Sequence, residues 1–203
     1  MSLFDQPHKT LSPALFTADE KIRDDVRLYI FEDVNKILQP GTVVGLYLFG
    51  SMAGRQYNEN SDIDINLILR DGLDKGNYKE YVKSKNERML PGTTHPVNYH
   101  LQNYTIPKYE ATAEYAVYDL LHDTWAVPPK PYESIRNPEE EYRDEIRYSK
   151  MYAKSLKYKH DMLKMHEDLE NGRKQAYYFG WGTPRESQQN ILYKYIEKIT
   201  KRK

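Results

Sequence analysis

From Asp62 to Leu69 the chain alternates without a break. Ile63, Ile65, Leu67 and Leu69 fall on one side; Asp62, Asp64, Asn66 and Ile68 fall on the other. A period of two marks a half-buried strand, so this run demands a sheet with one face on a core and acids on the other. The run before it, Thr42 to Phe49, is short and rich in β-formers (Val43, Val44, Leu46, Leu48) and ends in Gly50-Ser51. Ten residues separate Ser51 from Asp62. Glycine permits close backbone approach, and a serine hydroxyl can donate to a phosphate oxygen. If Met52 to Arg55 open a short helix, its free amides add further donors. Residues two apart on a strand point the same way, so Asp62 and Asp64 can chelate one or two hard cations such as Mg²⁺. Aspartate is depleted in strands, and two of them beside Ile63 and Ile65 need a reason.

The other elements are read from the same signals. Thr17-Ala18-Asp19-Glu20 has the spacing of a capping box and predicts a helix from there to about Leu38. Val26, Ile30, Val34 and Leu38 make its buried stripe, and Pro40-Gly41 stops it. Asp71-Gly72 turns the acidic strand, and Asn77 to Met89 reads as a polar helix ended by Pro91-Gly92. His95 to Gln102 alternates again, with Val97, Tyr99 and Leu101 opposite Asn98, His100 and Gln102, which predicts a third strand. Glu110 to Trp125 fits a helix through Ala116, Val117, Leu120 and Leu121, and equally a strand at Ala116-Val117-Tyr118. Val127 to Pro138 holds four prolines and reads as a stiff linker. Glu139 to Asn171 reads as one long helix closed by Asn171-Gly172. Thr183-Pro184-Arg185-Glu186 starts another, which runs to about Thr200. The expected organisation is a sheet domain over 1–127 and a helical region over 139–203, folded as an antiparallel pair.

Taken together, Phe49-Gly50-Ser51 followed by Ser61-Asp62-Ile63-Asp64-Ile65 resembles the signature of the nucleotidyltransferase superfamily typified by DNA polymerase beta. Gly54-Arg55 and Asn60-Ser61 are similar to the small "minimal" nucleotidyltransferases. The resemblance covers roughly Gly41 to Gln102 and the helix before it. It implies an α+β fold, a small mixed β-sheet flanked by helices. It also implies binding of a nucleoside triphosphate with Mg²⁺ (or Mn²⁺) and transfer of the nucleoside monophosphate to a hydroxyl or other acceptor, with release of pyrophosphate. On that reading Gly50 and Ser51 hold the nucleotide's phosphates, and Asp62 and Asp64 coordinate the metal; Arg55 and Lys154 are further candidate nucleotide-binding residues beside that resemblance. The family usually carries a third carboxylate on a neighbouring strand. The expected strand, Pro96 to Leu101, has none, and no acid occurs between Glu87 and Glu110. Asn98 and His100 stand there instead: Asn98 as a weak metal ligand, His100 as a group able to take a proton. Two readings follow, an active transferase and a catalytically degraded scaffold that binds nucleotide or a partner. A structural α+β protein with an acidic strand face is the third.

Bulk properties bound these readings. The 203 residues suffice for one domain with a helical extension. Thirty Lys and Arg balance thirty Asp and Glu, so no global field draws nucleic acid, although a local patch could. That balance argues against a processive polymerase with a broad nucleic-acid track. Cysteine is absent, which excludes disulfides and thiolate metal sites and fits a reducing compartment. No apolar run approaches the roughly 20 residues that span a bilayer, and Met1 to Thr10 lacks an apolar signal core. The expectation is a soluble, cytoplasmic protein. Arg147, Lys150, Lys154 and Lys157 share a helix face that either grips a polyanion or is simply solvated. The aromatic cluster Tyr177-Tyr178-Phe179 with Trp181, like Tyr152 and Tyr158, could stack a base or pack helices. His160 and His166, six apart, share no helix face and are assigned no metal. The acceptor stays open among a protein side chain, a small molecule and an RNA end.

Overall fold

The computed structural model describes residues 6–39, 41–71, 73, 76–83, 86–102 and 116–141, and beyond them only 143, 144, 146, 147, 150, 164, 167, 168, 170, 171 and 193. The alternating run forms strand β2, Ile63–Leu69, with every odd-numbered residue buried and every even-numbered one half-exposed. Its neighbour β1, Val43–Phe49, runs antiparallel to it, with Leu46 opposite Leu67 and Phe49 opposite Asp64. On the other side β4, Pro96–Gln102, lies parallel, with Asp64 opposite Asn98 and Asn66 opposite His100. A parallel pair needs a crossover, and helix α2, Gly76–Lys83, lies within it. The two-residue strand β3, Arg88–Met89, pairs antiparallel with β4. Strands β5, Val117–Asp119, and β6, Thr124–Val127, form a hairpin on the far edge. The result is a six-stranded mixed sheet in the order β3-β4-β2-β1-β5-β6.

One face of this sheet is the core. Leu46, Leu48, Ile63, Ile65, Leu67, Val97, Tyr99 and Tyr118 meet the buried stripe of helix α1, Asp24–Ile37, formed by Val26, Ile30 and Val34. Leu11, Leu15, Phe16 and Ile22 of the N-terminal segment complete it. A buried polar group sits within this layer: Asp33 of α1 accepts a 2.9 Å hydrogen bond from the Tyr99 hydroxyl and a longer one from Arg88. Arg27 of the same helix donates to the carbonyls of Leu120 and Leu121, fastening the β5–β6 turn to it. Phe16, Tyr118 and Trp125 pack ring against ring beneath that hairpin.

Several expectations are corrected. The Thr17–Glu20 signature caps no helix. Thr17 Oγ1 instead bonds to Asp19 and the Lys21 backbone within a turn, Glu20 takes a positive φ of 60°, and Phe16 bridges Ile22. Helix α1 starts at Asp24 without a side-chain cap and with acids in its first turn, which suits the helix dipole. The helix expected over Asn77–Met89 ends at Lys83, and Arg88–Met89 is strand. The ambiguous segment is strand at 117–119; 103–115 lies outside the described residues.

The chain divides into two compact units, the larger spanning Asp5–Ile135 and the second beginning at Arg136. The proline-rich stretch belongs to the larger unit as far as Ile135 and holds one 3₁₀ turn, Tyr132–Ser134. Helix α3, Pro138–Glu141, opens the second unit, and the described positions from 143 to 171 are helical. The expected antiparallel pair, including 183–200, otherwise lies outside the described residues. Among the described residues no helix is long and apolar enough to cross a membrane.

Candidate active site

The polar face of the sheet gathers the residues singled out by spacing. Asp64 lies opposite Phe49, the last residue of β1, so the chain leaves β1 directly beside the acids. Gly50 then takes φ +86°, and a Cβ built on it would stand 2.9 Å from Asp64 Oδ2. Any other residue would be strained in its backbone and would push against that carboxylate. The turn after it is closed by short-range bonds, Ala53 N to Gly50 O and Gly54 N to Ser51 O, each 3.1 Å. It is a pair of turns and not the helix start expected over Met52–Arg55, so those two amides are already used. Ser51 Oγ donates to Ser61 Oγ at 3.2 Å, and the Asn58 amide donates to the same oxygen at 2.9 Å. His95 in turn donates from Nδ1 to the Ser61 carbonyl at 2.8 Å. The loop is thereby closed on itself next to Asp62.

Strand β4 reaches across to both acids. Asn98 Nδ2 donates to Asp62 Oδ2 at 2.9 Å, while the Glu87 amide donates to Asn98 Oδ1 at 3.1 Å. An amide N–H only donates and a carboxylate only accepts, so both partners fix the same orientation. The Asn98 oxygen faces Glu87 and its nitrogen faces Asp62, the reverse of what a metal ligand at Asn98 requires. His100 Nε2 lies 3.0 Å from Asp64 Oδ1, with its ring edge-to-face against Phe49. Beside a carboxylate that nitrogen carries the hydrogen, so proton uptake by His100 in this pose falls to Nδ1.

Arg55 is placed otherwise than expected of a phosphate ligand. It is buried, and its guanidinium donates to the carbonyls of Lys9 and Lys130 and pairs with the Glu20 carboxylate. It fastens the loop after Gly50-Ser51 to the N-terminal segment and to the stretch that follows β6. Arg147 and Lys150 are exposed helical residues of the second unit, whereas Lys154 and Lys157 lie outside the described residues.

The register also adds residues that sequence reading did not assign. These are Asn66, Tyr47 and Asp119, which stand side by side with the already assigned His100 across four strands, one row along from Asp64. Burial, and then the nearby Asp119 carboxylate, push the Tyr47 phenol above its ordinary pKa. Asn66 Oδ1 is buried without a hydrogen-bond partner. Asp119 accepts from the Leu121 and His122 amides and from His122 Nδ1. Asn66 was visible in the alternation; Asp119 lies in a three-residue strand too short to show a period.

Among the described residues no group of three or more His, Asp or Glu gathers as a metal cage would need. The donor set still fits Mg²⁺, which is ordinarily held by one or two carboxylates together with substrate phosphates. Asp62 and Asp64 supply those two.

No curated protein and no solved structure matches the chain. Residues 32–114 match the family described as Polymerase beta, Nucleotidyltransferase, a span from α1 through β4 that contains the Gly-Ser turn and both acids. Over this span the chain is similar to nucleotidyltransferases of the polymerase-beta type.

Proposed function

We propose that the protein transfers a nucleoside monophosphate from a nucleoside triphosphate to an acceptor and releases pyrophosphate. The observation that carries this reading is the contact between the two motifs: Asp64 lies over Gly50, and Asp62 follows Ser61, the partner of Ser51. Phosphate-holding and metal-holding residues thus meet at one end of β1 and β2. Asp62 and Asp64 are the residues that would hold Mg²⁺ or Mn²⁺. When bound, the ion supplies charge neutralisation and orientation of the triphosphate.

The remaining roles belong to side chains of this chain. The Gly50-Ser51 turn lets the phosphates approach the backbone, and the Ser51 hydroxyl turns from Ser61 to donate to them. Asn98 holds Asp62 by one oxygen, and His100 holds Asp64 by one oxygen, so both carboxylates are oriented before substrate arrives. With Nε2 fixed on Asp64, the Nδ1 of His100 takes the proton of the acceptor group.

The test is incubation of the full chain with each α-labelled nucleoside triphosphate, Mg²⁺ or Mn²⁺, and protein, small-molecule and RNA acceptors. Label transfer with pyrophosphate release is expected, lost by at least about a hundredfold in Asp62→Ala and Asp64→Ala. Unchanged turnover in either variant contradicts the assigned roles. A second reading is favoured by one observation: N–H donors stand on β4 where a third carboxylate would act. A nucleotide-binding scaffold without turnover predicts Mg²⁺-dependent binding and no pyrophosphate under any condition.

A further inference from the structure

We propose that the row beside the acids, Asn66 with His100 and Tyr47, is the subsite for the acceptor, and that it takes a small molecule bearing hydroxyl or amino groups and no phosphate. The proposal deepens the transferase reading above and rests on it for the acceptor's role. Asn66 stands in the middle of β2, a central strand of the sheet, where asparagine is disfavoured. Its side-chain amide makes no hydrogen bond among the described residues, and its Oδ1 is buried as well. A buried acceptor left unmet costs stability, so packing alone does not account for this amide. With neither end bonded, a half turn about χ2 exchanges its oxygen and nitrogen and breaks no bond to the protein. The amide can therefore accept from a ligand or donate to one.

Its two neighbours in the row have bonding capacity to spare. His100 uses Nε2 on Asp64, and its Nδ1 has no partner among the described residues. The Tyr47 hydroxyl has none there either. The Tyr47 ring lies along β1 over Gly45, where a Cβ would stand 2.7 Å from Tyr47 Cε2, so the glycine lets the phenol lie on the sheet. Burial keeps that phenol protonated and hence a donor. All three side chains are half-exposed, within reach of a ligand. Neighbouring strands lie about 4.8 Å apart, so the row from His100 to Tyr47 is about 10 Å long, the length of a small polar molecule. His100 belongs both to this row and to the acids. A molecule bonded to Asn66 thus has its reacting hydroxyl or amine beside the group that takes its proton. That oxygen or nitrogen bonds to the α-phosphorus, its proton passes to His100 Nδ1, and the bond to the departing pyrophosphate breaks. The charge of the face sets the class of molecule. The register places Asp64 and Asp119 on this face of β1, β2, β4 and β5, and no Lys or Arg. A phosphate group set on Asn66 would meet carboxylates and no strand cation, whereas an ammonium or a hydroxyl would be matched.

The test uses three related probes that differ in charge: serinol (a protonated aminodiol), glycerol and glycerol phosphate. Each is titrated into the isotope-labelled full chain in the presence of Mg²⁺ and a non-hydrolysable nucleoside triphosphate analogue. The side-chain amide signals of Asn66, identified by their absence from Asn66→Leu, are followed by nuclear magnetic resonance, which detects millimolar binding. Serinol and glycerol are expected to shift these signals saturably, serinol at the lower concentration, and glycerol phosphate to leave them unmoved. Read on the backbone amides of Tyr47 and His100, serinol binding is expected to weaken about five- to tenfold in Asn66→Leu. That variant removes an unmet acceptor and a poor strand former, so it is expected to melt no lower than the parent. A lower melting temperature would show that the amide serves the fold, and would overturn the proposal. Unmoved Asn66 signals with both serinol and glycerol, in a chain that binds the analogue, overturn it and leave the transferase reading standing. So does a shift with glycerol phosphate as large as that with serinol, or serinol binding of equal strength in Asn66→Leu. A chain that binds no analogue overturns both together.

Discussion

Gly50 shows how a single side chain, or its absence, fixes the geometry of the acids. Its φ of +86° and the 2.9 Å from its notional Cβ to Asp64 Oδ2 act together. Gly50→Ala is expected to lose about 1–2 kcal/mol of stability from the left-handed backbone alone. It should also displace the Asp64 carboxylate, so turnover should fall by more than the loss of folded protein explains; equal losses would show that the contact does not matter to the chemistry. On the core side of the sheet, Tyr99 and Asp33 form a buried pair at 2.9 Å. Burial, and then the charge of Asp33, push the Tyr99 phenol far above its ordinary pKa, so it stays a donor. Tyr99→Phe removes one donor from a buried carboxylate and should cost about 1–3 kcal/mol, read as a lower midpoint in urea with an unchanged slope.

At the scale of elements, the loop between β1 and β2 is held from three directions by Arg55. Arg55→Lys keeps the charge but loses the planar fork that reaches the Lys9 and Lys130 carbonyls and Glu20 together. A fall in melting temperature of several degrees, with weaker triphosphate binding, is expected; a variant as stable as the parent would show that the loop needs no such tie. The same residue shows where sequence reading stops. Its partners lie 46, 75 and 35 positions away, and no local pattern encodes them. Strands β2 and β4 were legible because burial on one face writes a period of two into seven residues. Strands β3 and β5, of two and three residues, are too short to carry a period and exist because a neighbouring edge accepts them. The Thr17–Glu20 spacing matched a cap, yet Phe16 and Ile22 are both buried and bridge to each other, and that packing turned the segment before the helix began. In the site, the acids and the Gly-Ser turn were readable as a spaced motif. The orientation of Asn98 was not, since it depends on Glu87, whose amide meets it only once β3 has paired with β4.

For the whole molecule, the larger unit, Asp5–Ile135, contains every described residue of the site. Its stability should weaken at alkaline pH. Burial, and then the hydrogen bond to Asp123, push the Tyr118 phenol up to about 12, against about 10 in an unfolded chain. The native state therefore keeps a proton that the unfolded state gives up. The stabilising contribution is complete below pH about 10 and is lost as pH rises towards about 12. Denaturation midpoints measured across that window should fall, and Tyr118→Phe should fall less steeply; a flat profile would contradict the shift. The central claim is that Asp62 and Asp64, beside Gly50-Ser51, bind a metal–triphosphate. Calorimetric titration of the full chain with a non-hydrolysable nucleoside triphosphate analogue tests it most directly. The account predicts saturable binding in Mg²⁺ that disappears in chelator and in an Asp62→Ala, Asp64→Ala double variant that still folds; binding of equal strength in that variant, or none in the unaltered chain, would contradict it.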